Sequence, residues 1–229
     1  MADVLVGDSR SGLCFSEASI GLLPGWSGIG RTLVKAGLTN AKYMAMTAKE
    51  VKAKQLKEIG TYNEVVEVPF PFPKRQKTDD PEADKARYRE ELKMHNENAG
   101  LILLPRALEL AVCPPEEIPR VDGEERVALA TDEEIDQEIT RRSKPENYSH
   151  LWGRPLREVK DEIAKIGRPL APQSIEALTA LFEGYDPAQF DEISFVEREM
   201  EADARLYRDP RFRAGIIGTL EQRVTDYRL

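Results

Sequence analysis

The run Ile20-Gly21-Leu22-Leu23-Pro24-Gly25-Trp26-Ser27-Gly28-Ile29-Gly30 holds four glycines and one proline. Glycine opens positive φ and admits a close neighbour, and proline removes a backbone donor, so no regular helix is expected here. The reading is a backbone that bends sharply or lets another group approach.

The flanks are more regular. Leu33, Val34, Leu38, Tyr43, Met44 and Met46 recur at three- and four-residue spacing, predicting two short helices over residues 31–48, joined at Gly37-Leu38-Thr39-Asn40. A helix over residues 49–59 is expected to end at Gly60. Short strands are expected at Asp3–Val6 and Val65–Val68, and a short apolar run fills Gly12–Phe15. Val68-Pro69-Phe70-Pro71-Phe72-Pro73 reads as an extended connector. Beyond it, residues 80–111 read as a helix with Asp79 or Asp80 as cap and Pro81 in the first turn, stopped by Cys113-Pro114-Pro115. Thr131-Asp132-Glu133-Glu134 is a capping box opening a charged helix. From Leu156 two or three more helices are expected, broken near Gly167–Pro169, Gly184–Pro187 and Asp209-Pro210.

Composition narrows the function classes. Hydrophobic residues make up 41% of the 229, enough for a core, and the net charge is −8. The densest basic group, Lys74, Arg75 and Lys77, is answered at once by Asp79, Asp80 and Glu82, so neither nucleic acid nor an anionic membrane is an expected partner. Cys14, Cys113, His95 and His150 have no metal-ligand spacing; no metal site is expected, and both histidines read as surface residues. Met1–Val6 has no basic leader or apolar core of a signal peptide, and a reduced, cytoplasmic protein is the expectation.

The sequence holds, in order, Ala2-Asp3-Val4-Leu5-Val6, Gly12-Leu13-Cys14-Phe15-Ser16-Glu17, Gly21-Leu22-Leu23-Pro24-Gly25-Trp26-Ser27-Gly28, Arg31, Thr47, Leu56-Lys57-Glu58-Ile59-Gly60 and Asn63-Glu64-Val65-Val66. Over residues 3–68 this ordered series resembles the second half of the crotonase (enoyl-CoA hydratase/isomerase) superfamily. The spacing of Glu17, Gly21, Pro24 and Gly25 matches throughout. Residues 163–184 and 197–223, with Phe212-Arg213-Ala214-Gly215 and Leu220-Glu221-Gln222-Arg223, resemble the family's terminal helices. The long stretch between, and the Leu170-Ala171-Pro172-Gln173-Ser174-Ile175 helix, are similar to the 3-hydroxyacyl-CoA hydrolase branch.

The resemblance implies an α/β chain: the C-terminal half of a ββα-spiral crotonase fold followed by a mainly helical region. Residues 1–68 would be the half core, 69–155 an insertion, and 156–229 a helical oligomerisation region. The implied reaction is hydration, dehydration or isomerisation of an enoyl-CoA through a thioester enolate. A thioester or alicyclic ring-cleaving hydrolase and a non-catalytic structural subunit are the alternatives. Catalysis falls to Glu17, matching the family's second glutamate, and to Gly25, matching a glycine whose N–H positions water. Pro24 and Trp26 are the implied substrate contacts, with Trp26 alternatively a packing anchor. Ser16 departs from the family's proline. Between Phe15 and Ile20, Glu17 is expected to have its pKa raised by desolvation. Arg211 and Arg213 read as a CoA-phosphate contact or a solvated face. The CoA thioester is the substrate and no cofactor is implied. The match begins after the family's oxyanion-hole helix, which implies either a truncated reading frame or a complementary chain carrying the N-terminal half as the expected partner, in a trimer or hexamer.

Overall fold

The computed structural model describes residues 4–25, 27–69, 78, 80–121 and 123–228. The chain is mixed α/β and mostly helical, with four strands of two or three residues and nine α-helices among the described residues. Its contacts divide it into two compact units, Met1–Leu13 with Lys52–Arg126 and Cys14–Val51 with Val127–Leu229. The first unit takes residues from both the 1–68 and the 69–155 segments.

In the first unit, β1 (Val6–Asp8) pairs in parallel with β4 (Glu64–Val66), Val6 opposite Glu64 and Asp8 opposite Val66. Between them in sequence come β2 (Gly12–Leu13), β3 (Val51–Lys52) at the boundary of the units, and α3 (Ala53–Glu58). The expected helix over residues 49–59 is thus shorter, with an extended start. Its end is as read: Gly60 takes φ 83°, and the Tyr62 N–H returns to the Leu56 carbonyl at 2.9 Å. Gly7 leaves room for the Tyr62 ring, which lies 2.2 Å from where a Cβ would stand.

Helix α4 (Pro81–Val112) is the longest element. Asp80 caps it by accepting from the N–H groups of Glu82 and Ala83, and Pro81 occupies the first turn, where its missing N–H costs nothing. Arg106 of α4 grips Glu64 of β4 through two bonds of 2.8 and 2.9 Å. His95 corrects the surface reading: it is 4% exposed, with Nε2 2.8 Å from Asp8 Oδ2. Of the proline-rich connector, Phe70–Pro73 falls outside the described residues, as do Asp3 of the first expected strand and Trp26.

The second unit is helical. A single 3-10 turn, Glu17–Ser19, precedes α1 (Gly28–Ala36) and α2 (Leu38–Thr47), which meet at Gly37 with φ 81°. The predicted break is therefore in place, but α1 starts inside the glycine run. Gly28 and Gly30 are helical, and Gly30 sits in a tight place: a Cβ would lie 3.2 Å from both Phe195 and Ser27 Oγ, which would have to give way. In its first part the run bends sharply at Gly21, with φ 89°.

Helix α5 (Asp132–Ser143) carries the predicted capping box in full, Thr131 Oγ1 accepting from Glu134 N and Glu134 Oε2 from Thr131 N. Four helices follow: α6 (Lys160–Ile166), α7 (Pro172–Glu183), α8 (Glu192–Leu206) and α9 (Pro210–Leu220). The breaks are those expected, and they delimit one helix more. Ala18, Leu23, Ile29, Leu33, Leu178 and Phe195 lie in the main core of this unit. Tyr148, Leu151, Val159 and Val224 form a second, smaller cluster. Among the described residues no helix is long and apolar enough to cross a membrane.

Candidate functional site

The bend from Glu17 to Gly30 is pinned from several sides. Glu17 O accepts from the N–H groups of Ile20 and Leu22, closing the 3-10 turn. The Ala171 N–H reaches Ala18 O at 2.8 Å, and the Tyr227 hydroxyl donates to Ser19 O at 2.7 Å. Against the far side lies α9, close enough that a Cβ on Gly215 would sit 2.1 Å from Ile20 O. Ser27, just before α1, is held at φ 61°, a region that side chains rarely adopt.

Helix α8 brings carboxylates to this bend. Asp203 Oδ1 accepts from Leu23 N at 3.1 Å, and Glu199 Oε1 accepts from Gly30 N at 3.1 Å. Both satisfy amides that the chain's bending leaves without local partners, and Glu199 does so at the N-terminal turn of α1, where a negative charge is favoured. Yet Glu199 is only 3% exposed, and its Oε2 has no hydrogen-bond partner. Burial pushes its pKa up to about 7 despite the bond from Gly30, and the charge of Asp203 pushes the same way. The Arg31 guanidinium works against this rise.

Glu17 has the same character. Burial raises its pKa, against a bond from its own backbone, and Asp203 adds to the rise. Its Oε2 is buried without a partner. The expected direction of this shift is therefore observed. Asp203 is itself raised by burial, against its bond from Leu23. Three carboxylates thus share one neighbourhood in which the charged form is disfavoured, an arrangement suited to holding or passing protons.

A cavity of about 660 Å³ opens beside α8, bounded by Gly25, Ser27, Arg31, Glu199, Asp203 and Tyr207 with others of that helix. Gly25 belongs to its wall, and a Cβ there would meet nothing within 4 Å. Glu17 and Pro24 do not line it. Pro24 is buried, and it and Phe15 both lie within van der Waals reach of a Cβ on Gly28. Arg211 is held by Asp209 through bonds of 2.7 and 3.0 Å, so its charge is already answered.

Glu199 and Asp203 were not singled out in the sequence. A signal existed: Phe195, Glu199 and Leu206 are the buried residues of α8, a helical stripe with a carboxylate set in it. The chain matches no known family model and no curated protein.

Proposed function

We propose that this chain is a subunit of a crotonase-type acyl-CoA enzyme, in which Glu17 moves protons at the carbon beside a thioester carbonyl. The observation that carries the reading is Glu17 itself: a carboxylate with one buried, unpartnered oxygen and a raised pKa, at the start of a glycine-rich bend. Its position in the ordered series from Asp3 to Val66 is the one the resemblance assigns to the acid–base glutamate. A carboxyl whose burial favours the protonated form can donate to an enolate carbon, and its carboxylate can take the proton back. Hydration, dehydration and isomerisation of an enoyl-CoA all use this exchange.

The enolate oxygen needs two N–H donors aimed at it. The resemblance assigns these to the family's other half, so the active species would contain that half, in a trimer or hexamer. Residues 1–68 would then be a portion of the ββα spiral, and Gly25 would help position water.

The test is Glu17→Gln in the protein isolated from its source with the chains it carries, assayed for turnover of a 2-enoyl-CoA and for release of free CoA. A loss of about a hundredfold or more is expected, the usual scale for an acid–base group. Turnover without CoA release supports a hydratase or isomerase; CoA release supports the hydrolase reading. An unchanged rate supports a structural subunit, a reading favoured by one observation: Glu199 and Asp203 each bond a backbone N–H of the bend.

A further inference from the structure

The cavity beside α8 has a lining that selects a charge. Glu192, Glu197, Glu199 and Asp203 face it, against one guanidinium, that of Arg31. Between them stand Ile193, Val196 and Met200. Its volume of about 660 Å³ is that of a small-molecule site. The carboxylates are not equally committed to the fold. Asp203 Oδ1 accepts from Leu23 N, and Glu192 Oε1 accepts from Ser27 Oγ at 3.4 Å. Glu199, 97% buried by its 3% exposure, keeps Oε2 without a partner although Oε1 holds Gly30 N.

A buried carboxylate oxygen with no donor is costly unless something supplies one. The surrounding charge decides what can. A carboxylate or phosphate would meet four acidic side chains, whereas an ammonium group would be drawn in by all of them. The apolar side chains of α8 suit a short hydrocarbon stem behind that head.

We propose that this cavity binds an organic cation of the alkylammonium class, with Glu199 accepting from the ammonium head and Ile193, Val196 and Met200 packing on its stem. The same cavity would reject acyl chains that end in a carboxylate. This site stands independently of the acyl-CoA reading, since it concerns equilibrium binding and needs no turnover.

The full chain is titrated calorimetrically, at fixed ionic strength and pH 8, with n-hexylammonium, n-hexanol and hexanoate. Hexylammonium should bind at least about tenfold tighter than hexanol, and hexanoate more weakly than either. Glu199→Gln should weaken hexylammonium by about tenfold or more while leaving hexanol unchanged. Met200 is 66% exposed, so Met200→Arg leaves the core intact and puts a fixed cation at the cavity; it should abolish hexylammonium binding even if Glu199→Gln fails to fold. Equal affinity for hexylammonium and hexanol, or indifference to Met200→Arg, overturns the proposal.

Discussion

Arg142 and Glu199 are both 3% exposed, so one unit of the molecule hides a cation in one place and an anion in another. The cation is fully answered. Arg142 donates from Nε to Arg168 O at 2.7 Å, from one terminal nitrogen to Thr47 O, and from the other to Ser19 Oγ at 3.4 Å. Glu138, 3.7 Å away, supplies a counter-charge one helical turn back along α5. Burial still lowers the Arg142 pKa, but each of the three guanidinium nitrogens has an acceptor. The anion is only half answered: Glu199 Oε1 holds Gly30 N, Oε2 holds nothing, and Asp203 of like charge stands nearby. Equal burial therefore has unequal meaning. Arg142 ties the end of α2 to α5 and to the segment after α6, whereas Glu199 retains bonding capacity beside a cavity.

The contrast would be broken most directly at Arg142. Arg142→Met should cost about 3–5 kcal/mol in a urea denaturation, because buried carbonyls lose their donors and Glu138 loses a partner. A loss below about 1 kcal/mol would show that these contacts are not what fixes α5.

Glu199→Gln should act in the opposite sense. The folded pKa of Glu199, about 7, lies above its ordinary value of 4.5, so its contribution to stability is complete below 4.5 and is lost as pH rises to 7. The amide can keep the bond to Gly30 N and removes the buried charge. At pH 8 the variant should be more stable by about 1–3 kcal/mol, and the fall in stability between pH 5 and 7 should flatten. Glu17 and Asp203, raised in the same direction, leave a residual slope. A pH–stability profile unchanged by the substitution would place the titration elsewhere.

Smaller effects calibrate the scale. Tyr227→Phe removes the donor to Ser19 O and should cost about 1–2 kcal/mol, read from the urea midpoint. Arg211→Ala breaks an ion pair at the start of α9 but leaves Asp209 to cap the helix backbone, so about 0–1 kcal/mol is expected. A larger cost there would make the Arg211–Asp209 pair more than a local contact.

Much of the local structure was legible because its causes are local. Asp80 with Pro81, and Thr131 with Glu134, fix helix starts through bonds only two or three residues long. Gly37 and Gly60 stop helices where positive φ is required. The glycine run was half legible. Gly21 turns as glycine content suggests, but Gly30 is helical, and a Cβ there would press on Phe195, far along the chain, as well as on nearby Ser27 Oγ. His95 was misread for a related reason: its burial depends on Asp8, 87 residues away.

The candidate site divides along the same line. The glycines beside Pro24 were sufficient to mark the bend, and the setting of Glu17 between Phe15 and Ile20 to expect its desolvation. That Glu199 and Asp203 come to the same bend, 169 and 180 residues from the amides they accept from, is a matter of packing. Sequence alone determined where the backbone must turn and where helices begin, since dihedral preferences and caps act over a few residues. Only the tertiary structure decided which charges are buried and which of them have a hydrogen bond left to make, because desolvation and partner supply are set by segments distant in the chain.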